Sequence, residues 1–416
     1  MSDQSSRLER QFRCESEIPL DFNELFFSRT DERGKIQAGN EVFQRISEFS
    51  WPELLGKPHN IVRHPDMPRA IFRLLWDRLQ QDKPTGAYVK NRAKDGRFYW
   101  VYAIITPIAG GYLSVRMKPS STLLPIVAWA YADLLEMEKS EGLSPSQSAE
   151  RLLQRLSALG FSNYDSFMGA SLTAETVSRI GHLGKGTHPA VSLYGQLMSA
   201  SKLLLEAAST IADGYQRYRF VPLNLTVQAS RLGDTGKAIS TISTTYEELS
   251  GQIRLGLDRF IAATERVSQA IHEGAFLLAT AEVQGEIAAV FDREITLPNF
   301  DHLEEAKLLK QQRNRYQDDA VRTVFDVQRE VRSFAEEMFE IKRLSSGLAA
   351  IRVMGKVEAG YLETTVLSDL LADLQAFQEI LRSGLDHILS LNDTVKLNVS
   401  QLVIGNLMRD DELSLA

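Results

Sequence analysis

The chain has 416 residues, 44% of them hydrophobic and 24% charged, and carries a net charge of −7 at pH 7. That length accommodates two or three domains, the composition is that of an ordinary globular protein, and the negative balance argues against nucleic acid or an anionic membrane as the main partner. The single cysteine, Cys14, excludes an intramolecular disulfide and fits a reducing compartment.

The N-terminus, MSDQSSRLERQFRCESEIPL, has no apolar core of signal-peptide length. No uncharged apolar run approaches the ~20 residues of a membrane span. The longest, LLPIVAWAYADLLEM, is interrupted by Pro125 and Asp133. A cytoplasmic protein with no membrane insertion is expected.

FFSRTDERGKIQAGNEVF reads as a strand, a charged turn at Asp31–Gly34 and a short strand. A helical patch follows at PRAIFRLLWDRLQQ. AYVKNRAKDGRFYWVYAIITPIAGGYLSVRMKP then reads as three strands with turns at Lys94–Gly96 and Gly110–Gly111. Together these make a compact α+β module. After Pro119 the strand signals fade. Residues 120–188 read as short helices broken by EGLSPSQ, LGFSNYD and GHLGKGTHP, a helical linker region.

Beyond it, apolar residues fall on a 3–4 repeat: Leu193, Leu197, Ala200, Leu204, Ala207 and Ile211, resuming after RLGDTGK as Ile239, Ile242, Tyr246, Leu249, Ile253 and Phe260. The spacing predicts two long helices folded back as an antiparallel coiled coil over 189–296, or two amphipathic helices of an ordinary bundle. REITLPNFDH ends that unit. A second helical hairpin is expected over 301–410, one helix carrying Val327, Val331, Phe334, Met338 and Ile341, the other Leu370, Leu374, Phe377, Leu381 and Ile388, with IRVMGKVEAGYL between them. VQAS (227–230) and VEAG (357–360) register as a short internal repeat.

The stretch HNIVRHPDMP (59–68) concentrates chemistry, and three readings stay open. Asn60, Arg63 and Asp66 could simply cap the helix after Pro68. A metal cluster lacks supporting Cys or Glu spacing, but one histidine, His64, would suffice as an axial haem ligand. An anionic organic cofactor draws on more residues. Phe72, Trp76 and Trp100 would wall a flat slot. The amides of Asn40 and Asn91 would offer a donor and an acceptor to a ring edge. Arg63 and His64 would supply positive charge, with Asp66 orienting them.

GKPHNIVRHPDMPRAIFRLLW, followed by VKNRAKDGRFYWV and preceded by AGNEVF, closely resembles the PAS domain of bacterial aerotaxis receptors over residues ~20–118. The resemblance implies a PAS domain at 15–119, a five-stranded antiparallel sheet with flanking short helices, followed by an all-α region of long helices forming a coiled coil or four-helix bundle. It implies non-covalent FAD and redox sensing, with the flavin-pocket residues matching Asn40, Arg63, His64, Asp66, Phe72, Trp76 and Asn91. Thr85 stands where the family has a tryptophan, which would open one wall of the slot.

PLNLTVQASRLGDTGKAISTISTTYEELS is similar to the signalling tip of methyl-accepting chemotaxis receptors, which contacts the chemotaxis histidine kinase and its coupling protein. Leu223, Asn224, Ala229, Arg231, Gly233, Asp234, Gly236 and Leu249 keep that family's residue types; Pro222, Gln228 and Glu247 depart from them. Pro222 is expected to kink its helix. No Walker A loop, kinase ATP site or nucleophile elbow is present, so no enzyme is expected. The combined expectation is a redox or oxygen sensor of the aerotaxis type. A haem-based gas sensor and a cofactor-free PAS and coiled-coil scaffold are the alternatives. The assembly would be a homodimer or an intramolecular four-helix bundle.

Overall fold

The computed structural model describes residues 16–186, 189–292, 301–362 and 365–414. Cys14 lies outside them, as does most of REITLPNFDH. The chain divides into two compact units, one reaching Ser192 and including His272–Val321, the other comprising Leu193–Ile271 and the residues from Arg322 onward.

The first unit is built on an antiparallel sheet of β1 (Leu25–Asp31), β2 (Ile36–Gly39), β3 (Thr85–Arg92), β4 (Phe98–Ile108) and β5 (Gly111–Met117), in the order β2-β1-β5-β4-β3. The turns form where the sequence places them. In the first, Asp31 Oδ1 accepts from the amides of Arg33 and Lys35, both at 2.9 Å, while Gly34 takes φ +73°. Between β4 and β5, a Cβ on Gly111 would lie 1.9 Å from the Thr30 carbonyl oxygen, so only glycine fits. The β2–β3 connection carries α1 (Glu41–Ser47), α2 (Trp51–Leu54), a 3-10 turn over His59–Val62 and α3 (Arg69–Leu79). Pro68 caps α3, whose first turn needs no N–H from it. Phe26, Phe43, Ile46, Leu54, Val62, Ala70 and Ile71 fill the core between the sheet and these helices.

Residues 120–188, expected as a linker, fold instead onto this module as α4 (Leu123–Ser140), α5 (Pro145–Ala158) and α6 (Tyr164–His182). Their attachments are ionic and aromatic: Arg69 with Glu138, Arg78 with Asp165, and Trp100 against Tyr131 at 6.4 Å. The reason they stay is the outer sheet face. Tyr88, Tyr102, Phe27 and Val115 are buried there and need a cover. α6 supplies Phe167, Met168 and Leu172. Two longer helices bring Phe276, Val283 and Ile287 and then Ala306 and Leu309 to the same cluster.

The second unit consists of most of α7 (Pro189–Tyr218), α8 (Val221–Arg231), a 3-10 turn at Gly233–Gly236, parts of α9 (Lys237–Phe291) and α10 (His302–Leu362), and α11 (Thr365–Ser414). The apolar repeat is its core. Phe260 meets Phe334 at 5.2 Å, Tyr215 meets Phe377 at 6.2 Å, and Leu204, Ile211, Ile253, Leu374, Leu381 and Ile388 are buried. Glycines permit close crossing: a Cβ on Gly384 would meet the Ile211 side chain at 2.5 Å. Exposed pairs such as Arg259–Glu337 and Arg266–Glu330 flank that core.

Three details differ from expectation. Pro222 does not kink a helix but opens one, because α7 ends at Tyr218 and α8 starts with Pro222 in its first turn, where no N–H is required. IRVMGKVEAGYL is not a connection: α10 runs through it to Leu362, its Gly355 admitting the Leu371 side chain rather than ending the helix. Among the described residues, the helix long and apolar enough to cross a membrane by composition is Gly233–Phe291 rather than LLPIVAWAYADLLEM, and 72% of its most apolar window is buried within the protein. Its apolarity is explained by what it covers.

Candidate functional site: a cavity inside the N-terminal module

Between the inner sheet face and α3 lies a cavity of about 270 Å³, close to the lower end of the ~300–1,000 Å³ usual for ligand pockets. Strand alternation builds one wall. Val89 and Asn91 of β3, Ala103 and Ile105 of β4, and Tyr112, Ser114 and Arg116 of β5 all point inward. The other wall is α3, whose Phe72, Leu75, Trp76 and Leu79 recur at helical spacing. Trp76 stands edge-on to Tyr112 at 5.4 Å and rests against Gly34 of the β1–β2 turn. The exposed lining residues, Arg33, Pro58 and Asn60, lie where the cavity opens.

Of the seven residues the sequence proposed for the site, four line this cavity: Arg63, Phe72, Trp76 and Asn91. Arg63 stacks on Phe72, 3.8 Å from the ring centroid, donates to the Met67 carbonyl at 3.1 Å and bridges through its backbone to Asn91. Burial lowers its pKa, Glu138 opposing. Asn91 is 3% exposed and its Nδ2 has no hydrogen-bond partner.

The other three do not line it. Asn40 caps α1: its Oδ1 accepts from the amides of Phe27 and Phe43, and its Nδ2 donates to the Leu25 carbonyl. Its Oδ1 and one N–H of its amide are thereby used to join β1 to α1. His64 accepts from the Asp66 amide through Nδ1 at 3.1 Å, so that nitrogen carries no proton. Burial, reinforced by Lys90, lowers its pKa. Asp66 is exposed and paired with Lys90 at 2.7 Å; burial pushes its pKa up, but the Lys90 hydrogen bond and charge outweigh this and leave it lowered. Since His64 is not part of the wall, the axial-ligand geometry for haem is not formed there. Trp100 packs toward Tyr131. Thr85, where a wall was expected to be missing, also lies off the cavity, 3.7 Å from Met168 Sδ; Phe72, Trp76 and Tyr112 make the aromatic walls.

The inner end of the cavity was not anticipated. Arg116, 6% exposed, donates to Ser28 Oγ at 2.8 Å and to His59 Nε2 at 2.9 Å, and lies over the Phe26 ring. A guanidinium only donates, so Nε2 of His59 is the acceptor and its proton sits on Nδ1. Burial first, and Arg116 second, hold the His59 pKa well below its usual value. Burial also lowers the Arg116 pKa, to about 10. Among the described residues no carboxylate pairs with Arg116. Beside it, Ser114 Oγ is buried and without a partner. One signal could have revealed this group: in GYLSVRM, Tyr112, Ser114 and Arg116 alternate with Leu113, Val115 and Met117.

A flat aromatic and aliphatic slot, two orphaned buried polar atoms and a buried guanidinium suit a planar ligand with polar edges. That is the chemistry of a flavin ring, and these residues fit it. No group of metal-ligating side chains occurs among the described residues.

Residues 38–113 match the family described as PAS fold. Over 121 residues the chain is 37% identical to the aerotaxis receptor of Escherichia coli (strain K12), covering 28% of this chain and 24% of that one. Over 81 residues it is 33% identical to the nitrogen fixation regulatory protein of Klebsiella pneumoniae, covering 20% of this chain and 16% of that one. The crystal structure of the PAS domain of a Colwellia psychrerythraea protein aligns at 19% identity and a TM-score of 0.22, over 28% of this chain and 97% of that one. The matched segments therefore span about a quarter or less of the curated relatives' length.

Proposed function

We propose, taking the N-terminal module as the PAS domain of a signal sensor related to the aerotaxis receptor, that this chain is a cytoplasmic redox sensor rather than an enzyme, holding FAD in the cavity and passing its state to the helices. The observation that carries the reading is the pair of orphaned polar atoms, Asn91 Nδ2 and Ser114 Oγ, on two residues that line an aromatic slot. A buried unpaired donor costs about 1–3 kcal/mol, which a ligand that accepts from it returns. Phe72, Trp76 and Tyr112 would enclose the ring, Asn91 and Ser114 would bond its edges, and Arg33 and Arg63 would take the diphosphate charge. FAD supplies an electron sink whose charge and hydrogen-bonding pattern change on reduction.

The route outward follows the strands. Asn91 faces the cavity, whereas Tyr88 of the same strand faces out and donates to Glu175 of α6 at 2.7 Å; Thr106 of β4 accepts from Gln284 of α9 at 3.1 Å. A shift in strand position on the inner face moves both contacts, biasing a two-state arrangement of the covering helices. The output surface in this reading is the hairpin tip around the Gly233–Gly236 turn, where Phe220, Leu223 and Val227 are exposed, with the chemotaxis kinase and coupling protein as partners.

The test is an absorbance spectrum of the full-length protein incubated with FAD and desalted. A retained flavin spectrum, bleached by dithionite and restored by air, is expected. A colourless protein would overturn the reading.

A further inference from the structure

We infer that the inner end of the cavity, formed by Arg116 with His59 and Ser28, is an anion pole that keeps the reduced flavin ring deprotonated and negatively charged. The inference rests on the flavin reading above and adds to it the charge state that the pocket selects.

Three observations converge on this pole. Arg116 is an enclosed guanidinium whose partners are neutral: the hydroxyl of Ser28 at 2.8 Å, the lone pair of His59 Nε2 at 2.9 Å and the face of Phe26. Among the described residues its positive charge is therefore uncompensated, and a buried charge without a counter-ion is destabilising until one arrives. A counter-ion can reach it from the cavity, because Arg116 is one of the cavity's walls. Beside it, Ser114 presents an unpartnered buried hydroxyl, which can donate to an anion. The titratable groups facing Arg116 are His59 from the 3-10 turn and Tyr99 from β4. Neither supplies negative charge: His59 is held neutral, and burial keeps the Tyr99 hydroxyl protonated.

A pocket lined this way favours whichever ligand state places negative charge against the guanidinium. On reduction, two electrons from the reductant and one proton from solvent enter the ring. The second proton, which a neutral reduced flavin would carry, remains in solution, and the charge it would have cancelled is matched by Arg116 instead.

The experiment is a pH titration, read by absorbance, of the FAD-loaded full-length protein reduced with excess dithionite, with free reduced FAD titrated alongside. The spectrum of anionic reduced flavin should persist in the protein to a pH at least about one unit lower than in free FAD, a tenfold or greater loss of proton affinity. In Arg116→Met the titration should move back toward free FAD, and Arg116→Lys should lie between. A wild-type protein that titrates with free FAD overturns the anion pole while leaving FAD binding intact. Failure of the protein to retain FAD overturns the flavin reading and this inference together. Should Arg116→Met fail to fold, the wild-type titration still decides the question.

Discussion

Alternate residues of the same five strands build two faces of one sheet, and the faces are finished in opposite ways. On the outer face Glu175, fully buried, accepts from the Tyr88 hydroxyl, the Ser121 hydroxyl and the amides of Ser120 and Ser121, while Tyr102 bonds Ser171 and Arg29 forms an ion pair with Glu305. On the inner face Asn91 Nδ2 and Ser114 Oγ have no partner and Arg116 has no counter-ion among the described residues. The buried charge on the outer face is matched by donors of the protein itself; the buried charge on the inner face is matched by no carboxylate among the described residues. Unmade bonds are tolerated where a molecule from outside makes them, and the stability forgone there resides in the helical cover behind.

The largest test of that contrast is Glu175→Ala. Removing a buried carboxylate with four donors leaves Tyr88 and the Ser120–Ser121 turn unsatisfied, and urea unfolding should report a loss of roughly 3–5 kcal/mol, with Glu175→Gln losing less. If Glu175→Ala is neutral, the outer face is not the stabilising one.

A second test uses pH. The His59 pKa is depressed in the folded state below its ordinary 6.5. Below that pH the unfolded chain binds a proton that the folded chain refuses, so stability must fall as pH drops from 6.5 toward the folded pKa, by up to about 1.4 kcal/mol per unit. Denaturation of wild type and His59→Gln across this window should show the variant with the shallower decline. Equal slopes would mean that His59 is not held neutral by its burial beside Arg116.

Ser114→Ala should act with the opposite sign to Glu175→Ala. Removing an unpartnered buried hydroxyl should stabilise the free chain by up to about 1 kcal/mol while weakening FAD binding by about three- to tenfold, read by thermal melts and fluorescence titration. Destabilisation with unchanged affinity would show the hydroxyl to be structural. The smallest effect is expected in the helical unit: Arg259→Ala breaks an exposed pair with Glu337 and should cost no more than about 0.5 kcal/mol.

The strands, the turns at Asp31–Gly34, Lys94–Gly96 and Gly110–Gly111, helix α3 and the apolar stripes of the long helices were legible because each depends on neighbours within a few residues, through two-fold or 3.6-fold periodicity and local turn chemistry. Phe72 and Trp76 were legible for the same reason, being on one face of one helix. Asn40, His64 and Asp66 lie off the cavity because polar side chains near turns bond nearby backbone amides, as Asn40 and His64 do, or a neighbouring charge, as Asp66 does with Lys90. Only the fold reveals that Asn40 is consumed by Leu25, Phe27 and Phe43.

The amino-acid order alone determined the kind of each element and the family resemblance of the first module, since both are encoded in local pattern. Tertiary structure decided what covers the sheet, that residues 272–321 belong with it, and that no carboxylate among the described residues pairs with Arg116. These are facts about groups far apart along the chain, and whether a buried charge meets its opposite depends on where distant segments come to rest.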